Sequence, residues 1–264
     1  VVWVLFCRHE ATTVLAEWFE YLRTSQSPHA RKLGYTKEAI ATHARYKRCR
    51  SAWQPHLEAS KEAILQAASQ CKQQRKALIF GSGYLLDIPL APLVSQFEEV
   101  ELVDIVFPKL TQTVAHRLGA NCTYGDITAL EESDNWLDVP EPKAFLEDKT
   151  VDFVVSANLL SQLPILPQRY LEKQGVPAKK RDAFSHQLMA AHLAYLKRFD
   201  ATRCLITDTH YLFKDQQGNL LQKTDALHGV KLPKPERQWP WLIAPMPELS
   251  RQYNRVHEVA TFSL

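Results

Sequence analysis

The residues best placed to do chemistry are Gly81-Ser82-Gly83, Asp104, Asp126, Asn158, Asp208 and His210, and each comes at or just after the end of a short run that reads as a strand. Ala77–Phe80 precedes the glycines, and Val100–Val103 precedes Asp104. Asn121–Tyr124 precedes Gly125-Asp126, Val151–Ser156 precedes Ala157-Asn158, and Cys204–Thr207 precedes Asp208. Glycines after a strand let the backbone take positive φ and let a ligand approach where a Cβ would clash. An ionised carboxylate only accepts hydrogen bonds, so an acid about 20 residues beyond such a turn suits a ribose diol. Asp104 lies 21 residues beyond Gly83. Taken singly, each has a plainer reading. The glycines make a tight turn, Asp104 and Asn158 suit helix N-caps, and Asp126 suits an Asx-turn. Their succession at consecutive strand ends is what points to a ligand crevice, because open α/β sheets bind ligands at their carboxyl edge.

The positioning elements read as an α/β fold. Strand and helix patterns alternate from residue 77 onward. VDFVVS (151–156) is apolar on both faces, as strands inside a parallel sheet are. A helix is expected after the glycine turn. Residues 89–98 read as a helix with Pro89 and Pro92 in its first turn, where a missing N–H costs little. Residues 107–118 form another helix, ended by Gly119. Phe184, Leu188, Ala191, Tyr195 and Phe199 make a helical stripe before the fifth strand at Cys204–Thr207. Tyr211–Phe213 and Leu220–Leu221 flank a Gln217-Gly218-Asn219 turn, and Trp241–Ala244 pairs with Val256–Phe262 as closing strands. The expectation is a doubly wound, mostly parallel seven-stranded sheet with a late antiparallel pair, spanning 76–264 with an insertion at about 209–240.

Residues 1–75 are expected to form an N-terminal helical cap. Leu15, Trp18, Phe19 and Leu22 recur at helical spacing, and so do Tyr46, Cys49, Trp53 and Leu57. Thr36 suits an N-cap, and Pro55 marks a kink or restart. Arg45, Lys47, Arg48 and Arg50 form either a solvated face or an anion or nucleic-acid contact.

Composition narrows the function. The chain has 264 residues, 45% of them hydrophobic, with a formal charge of +3, too mild to argue for nucleic acid by itself. Its five cysteines include no CxxC pair, so neither a disulfide framework nor a zinc site is expected, and a reducing cytoplasm is the expected compartment. The Val1–Cys7 run is too short to span a bilayer and does not read as a signal peptide. There is no HExxH, and His186 and His192 do not share a helix face, so no metal site is expected. There is no GxSxG elbow. Leu86 stands where a nicotinamide-binding fingerprint needs Gly or Ala.

The order GSG, Asp104, Gly125-Asp126, VDFVVSANLL resembles that of class I S-adenosylmethionine-dependent methyltransferases, over roughly residues 77–262. The resemblance implies that Gly81, Ser82 and Gly83 lie under the methionine and ribose of S-adenosylmethionine and that Asp104 accepts from the ribose. It implies Ile105 and Ile127 beside the adenine, Asp126 at the adenine amino group, and Ser156, Ala157 and Asn158 near the transferred methyl. Two positions depart from the family's first motif: Ile79 stands in place of an acid and Leu85 in place of a third glycine. Asp87 is then the candidate to supply the missing charge. Asn158, Asp208 and His210 are the candidate catalytic residues, with Tyr211, Trp239 and Trp241 as candidate substrate walls.

The fourth-strand sequence SANLL lacks the Asn/Asp-Pro-Pro-aromatic motif of amino-methylating nucleic-acid enzymes, and no Pro-Cys motif is present. A small-molecule acceptor is therefore expected over nucleic acid, with S-adenosylhomocysteine as product, no membrane association, and a homodimer through the N-terminal helices as a possible assembly. The alternative is a catalytically inactive relative that binds a ligand or scaffolds a partner.

Overall fold

The computed structural model describes residues 26–133 and 135–264, together with Tyr21 and Thr24. The helix expected around Leu15–Leu22 and the Val1–Cys7 run lie outside the described residues. Helices α1 (Pro28–Leu33), α2 (Tyr35–Arg48) and α3 (Arg50–Ala68) come first. Then follow β1 (Lys76–Phe80), α4 (Leu90–Gln96), β2 (Glu99–Asp104), α5 (Lys109–Leu118), β3 (Asn121–Tyr124) and β4 (Val151–Ala157). The chain closes with α6 (Ile165–Lys173), α7 (Ala178–Lys197), β5 (Thr202–Lys214), β6 (Leu220–Asp225), β7 (Arg237–Ala244) and β8 (Asn254–Ser263).

The continuous sheet has seven strands in the order β3-β2-β1-β4-β5-β8-β7, and β6 adds an eighth by pairing with β5 alone. β1 to β5 are mutually parallel. β8 runs antiparallel to both β5 and β7, forming the late antiparallel pair. This is a doubly wound, Rossmann-like α/β arrangement. The order reverses at β1, whose neighbours are β2 and β4, and a crevice opens at such a switch point. Alternation along β1 feeds two apolar layers. Ala77 and Ile79 pack with Phe97, Phe107 and Trp53, while Leu78 and Phe80 pack with Phe184, Leu188 and Tyr195.

Several local expectations change. No helix follows the glycine turn directly. Gly81, Gly83 and Leu85 all have positive φ, which a right-handed helix cannot accommodate, and α4 starts only after Pro89. β5 does not stop at Thr207 but runs as one strand to Lys214, with a register shift between Asp208 and His210. Asp208 and His210 therefore lie within a strand rather than after it, because β8 supplies partners along the whole length. Thr36 is not an N-cap. Gly34 occupies that place and Thr36 bonds Gln26. The helical restart falls at Cys49, and α3 runs through Pro55.

The N-terminal helices are fastened to the sheet's far end. The Trp53 indole donates to the Ile243 carbonyl at 2.9 Å, and Trp53 is almost wholly buried. Arg48 grips Glu248 with two nitrogens at 2.7 and 3.1 Å, and Arg45 approaches the same carboxylate at 3.7 Å. Two of the four clustered cations thus tie α2 to the loop between β7 and β8.

At the amino edge of the sheet, Arg75 forks onto Asp152, and Lys76 meets Asp148 at 2.8 Å and Glu99 at 3.1 Å. The Lys76 hydrogen bond, with help from Thr150, holds the Asp148 carboxyl down to about 2. A depressed folded pKa gives stability that is present above the unfolded carboxylate value near 4 and lost as pH falls through about 2. Asp148→Asn is expected to cost about 1 kcal/mol at pH 7, since solvent screens the pair. The difference should be mostly lost near pH 2 and vanish below it, as read by urea unfolding at several pH values.

Candidate functional site

The carboxyl ends of β1, β2 and β4 open into one cleft of about 260 Å³, roofed by α2 and α3. Gly81, Ser82, Gly83, Asp87, Asp104, Ile105 and Asn158 all line it. A narrower extension shares Gly81, Asp104 and Ile105 and continues to Asp126 and Ile127. Residues from four separate stretches of sequence therefore line two adjoining chambers that share Gly81, Asp104 and Ile105.

The glycine turn is built for close approach. Gly81 has φ +79°, and a Cβ there would lie 3.0 Å from the Ala157 carbonyl oxygen and 3.2 Å from Leu159 Cβ. Its N–H donates to the Val103 carbonyl. The Gly83 N–H donates to Asp104 Oδ2 at 2.8 Å, and Thr111 Oγ1 donates to the Gly83 carbonyl at 2.7 Å. Asp104 thus stands at the end of β2 under the glycine loop and is not a helix N-cap, since Pro108 precedes α5. Burial pushes the Asp104 carboxyl above its usual range, and the Gly83 and Val106 amides oppose the shift.

Asn158 is held in a strained backbone conformation on the cleft wall. It has φ +50°, a conformation that costs a non-glycine residue about 1 kcal/mol or more. Its side chain does not cap a helix. Its Nδ2 donates to Asp87 Oδ2 at 2.5 Å, so the two residues meet across 71 positions of sequence. Burial pushes the Asp87 carboxyl up, and the Asn158 hydrogen bond opposes this. Asn158 Oδ1 and Ser82 Oγ are buried without a hydrogen-bond partner. Such groups are costly unless something satisfies them.

The other sequence candidates divide. Asp126 borders the extension, but its carboxylate accepts from the Thr128 and Glu131 amides at 2.9 and 3.0 Å, which is the Asx-turn arrangement. His29 Nε2 stands 3.6 Å from it. Ser156 faces the opposite side of the sheet, 3.0 Å from His192 Nε2, because successive strand residues alternate. Asp208 is buried outside the cleft wall, accepting from Ser161 Oγ at 3.0 Å, with His257 Nδ1 3.2 Å away. His210 pairs with Glu258 at 2.9 Å near the surface. Neither Asp208 nor His210 lines the cleft.

Among the wall residues that escaped sequence reasoning are Tyr35, Trp53 and His56. Tyr35, at the start of α2, lines both chambers, and burial together with the nearby Asp126 and Asp104 carboxylates drives its hydroxyl strongly upward. Trp53 lines the cleft besides anchoring α3. His56 on α3 is 1% exposed and stacks on Trp241 with ring centroids 3.9 Å apart and planes 6° apart. Its nearest sequence signal was a polar residue three positions after Trp53, on the apolar face of a helix. Among the described residues, no group of acidic, histidine and cysteine side chains could hold a metal ion.

No protein-family model and no curated protein sequence matches this chain. Among solved structures, it is similar to a 1,6-didemethyltoxoflavin-N1-methyltransferase from Burkholderia thailandensis, in complex with 1,6-didemethyltoxoflavin and S-adenosylhomocysteine. That match has 14% identity and TM-score 0.38, covering 89% of this chain and 91% of the other. It is also similar to an amino pentose methyltransferase from Micromonospora echinaspora, at 14% identity and TM-score 0.31, covering 64% of this chain and 62% of the other. A third match is a 23S rRNA methyltransferase, at 11% identity and TM-score 0.29, covering 76% of this chain and 67% of the other.

Proposed function

We propose that this chain binds S-adenosylmethionine in the cleft and transfers its methyl group to a small-molecule acceptor. The observation that carries the reading is that the glycine turn, Asp104, Ile105 and Asn158 line one cleft at the switch point of the sheet. The residues present suit the cofactor. Gly81 leaves a surface that a Cβ would fill, and Asp104 offers two acceptor oxygens to a diol. Ile105 and Ile127 offer apolar contact, and the unpartnered Ser82 Oγ and Asn158 Oδ1 offer polar contact at the opposite end.

When bound, the cofactor would supply an electrophilic methyl group. The chain's own task is then to orient the acceptor and exclude water, since an in-line displacement gains most from positioning. Asn158, held by Asp87, is suited to orient a polar acceptor. Asp208 lies behind the wall and would act through neighbours rather than on the acceptor. A small acceptor fits the roof of α2 and α3 over the cleft and the mild net charge of +3. No helix among the described residues is long and apolar enough to cross a membrane.

A second reading, a binding module without catalysis, draws on the two motif departures, Ile79 and Leu85. Ile79 is fully buried in the sheet, and Leu85 holds a positive φ of 59°. Calorimetric titration with S-adenosylmethionine, S-adenosylhomocysteine and NAD tests the cofactor. Micromolar binding of the first two and none of NAD is expected, and folded protein that binds neither would sink the proposal. Methyl transfer in a small-metabolite screen then separates enzyme from binding module.

A further inference from the structure

His56 lines the cleft, and the geometry around its ring says which nitrogen carries the proton. The Trp239 indole nitrogen lies 3.1 Å from His56 Nδ1. An indole N–H is a donor only, so Nδ1 must be the acceptor and the neutral ring carries its proton on Nε2. A doubly protonated ring would set N–H against N–H at Trp239. Burial favours the same state, holding His56 down to about 3. On the other side, Nε2 lies 3.5 Å from Asn158 Nδ2, which is itself a donor committed to Asp87. The Nε2–H therefore meets another donor there; the Asp208 carboxylate favours a charged ring, but burial outweighs it, and no ion pair to His56 is formed among the described residues.

Three kinds of group thus converge at the end of the cleft away from Asp126: the His56 N–H donor, the Asp87 carboxylate, and the unpartnered Asn158 Oδ1 and Ser82 Oγ. A donor beside acceptors is the complement of a zwitterionic α-amino acid. We infer, resting on the cofactor reading above, that His56 from the N-terminal helices donates its Nε2–H to the carboxylate of the cofactor's amino-acid end, while Asp87 and Asn158 Oδ1 receive its ammonium. The acid missing from position 79 is thereby replaced from two other parts of the chain, and α3 becomes part of the cofactor site rather than only a roof. Trp239 and Trp241 act as positioning residues, one fixing the tautomer and the other the ring plane.

The test compares S-adenosylhomocysteine with 5′-methylthioadenosine, which keeps adenine and ribose but lacks the amino acid. Both are titrated calorimetrically into the full chain and into His56→Phe and His56→Gln. Phe keeps a ring to stack on Trp241 but has no donor, whereas Gln restores an N–H. The expected result for His56→Phe is a loss of roughly tenfold for S-adenosylhomocysteine, as for one hydrogen bond to a charged group, with 5′-methylthioadenosine unchanged. His56→Gln should recover part of it. Unchanged S-adenosylhomocysteine affinity in His56→Phe overturns the inference, and so does an equal loss of both ligands, which would make His56 merely structural. Should His56→Phe fail to fold, Trp239→Phe releases the tautomer and should weaken S-adenosylhomocysteine alone; no change there overturns the inference. If neither ligand binds the unmodified chain, the cofactor reading itself falls, and this inference with it.

Discussion

Asp104→Ala is expected to weaken S-adenosylhomocysteine binding by roughly 100-fold, the equivalent of two hydrogen bonds from a ribose diol to a charged acceptor. Asp104 ends β2 on the cleft wall, and Gly83 N–H already reaches its Oδ2 at 2.8 Å. The substitution should leave the fold in place. Burial raises the Asp104 carboxyl, so the folded state favours the protonated acid. A raised folded pKa contributes stability that is fully present below the unfolded value and lost as pH rises through the folded one. At neutral pH the ionised carboxylate is therefore a cost that the ligand-free protein carries. Asp104→Asn is isosteric and keeps an acceptor for Gly83, and it should melt at the same temperature as the parent or higher while still binding poorly. Such opposition between stability and binding is what a functional carboxylate produces. Thermal unfolding alongside calorimetry reads both effects. Unchanged affinity in Asp104→Ala would remove the ribose contact from the reading.

Gly81→Ala is expected to destabilise the protein by about 2–4 kcal/mol, whereas Gly83→Ala should cost only about 1 kcal/mol. Both glycines have positive φ, +79° and +46°, so both pay the backbone term. They differ in what a Cβ would meet. At Gly81 it would stand 3.0 Å from the Ala157 carbonyl oxygen, in the backbone of β4, and 3.2 Å from Leu159 Cβ. Neither can move aside without disturbing the segment that carries Asn158. At Gly83 nothing lies within 4 Å. Urea unfolding of the two variants measures the difference, and equal losses would show that the close approach of β1 to β4 is not what demands glycine at position 81.

Much of this arrangement was legible in the sequence, because a parallel sheet leaves local marks. Strands buried on both faces read as continuous apolar runs, and Ala77–Phe80, Val100–Val103 and Val151–Ser156 each mark a strand of the sheet. Their carboxyl ends lie side by side once the strands are parallel, so Gly81, Asp104 and Asn158 could be grouped before any coordinate was known. Gly119 ends α5 in the left-handed conformation because no other residue adopts it so cheaply. Alternation also had consequences that the apolar pattern hid: Ser156 faces His192, away from the cleft, while its neighbour Ala157 lines it.

What only the tertiary structure decided is which long-range neighbours complete the site. Asp208 looked like a residue beyond a strand end, but β8 pairs along β5 and extends the strand through it, a partnership between segments about 50 residues apart that carries no local signal. Asp87 and Asn158 meet across 71 residues, and His56 and Trp239 across 183. His56 sits on a helix whose periodicity says only that one face is buried. Its chemistry comes from an indole N–H that fixes the tautomer and from the donor it faces on the far side. Sequence periodicity reports burial, while hydrogen-bond direction depends on the partner, and here the partners come together only when α3 and β7 pack at the edge of the sheet.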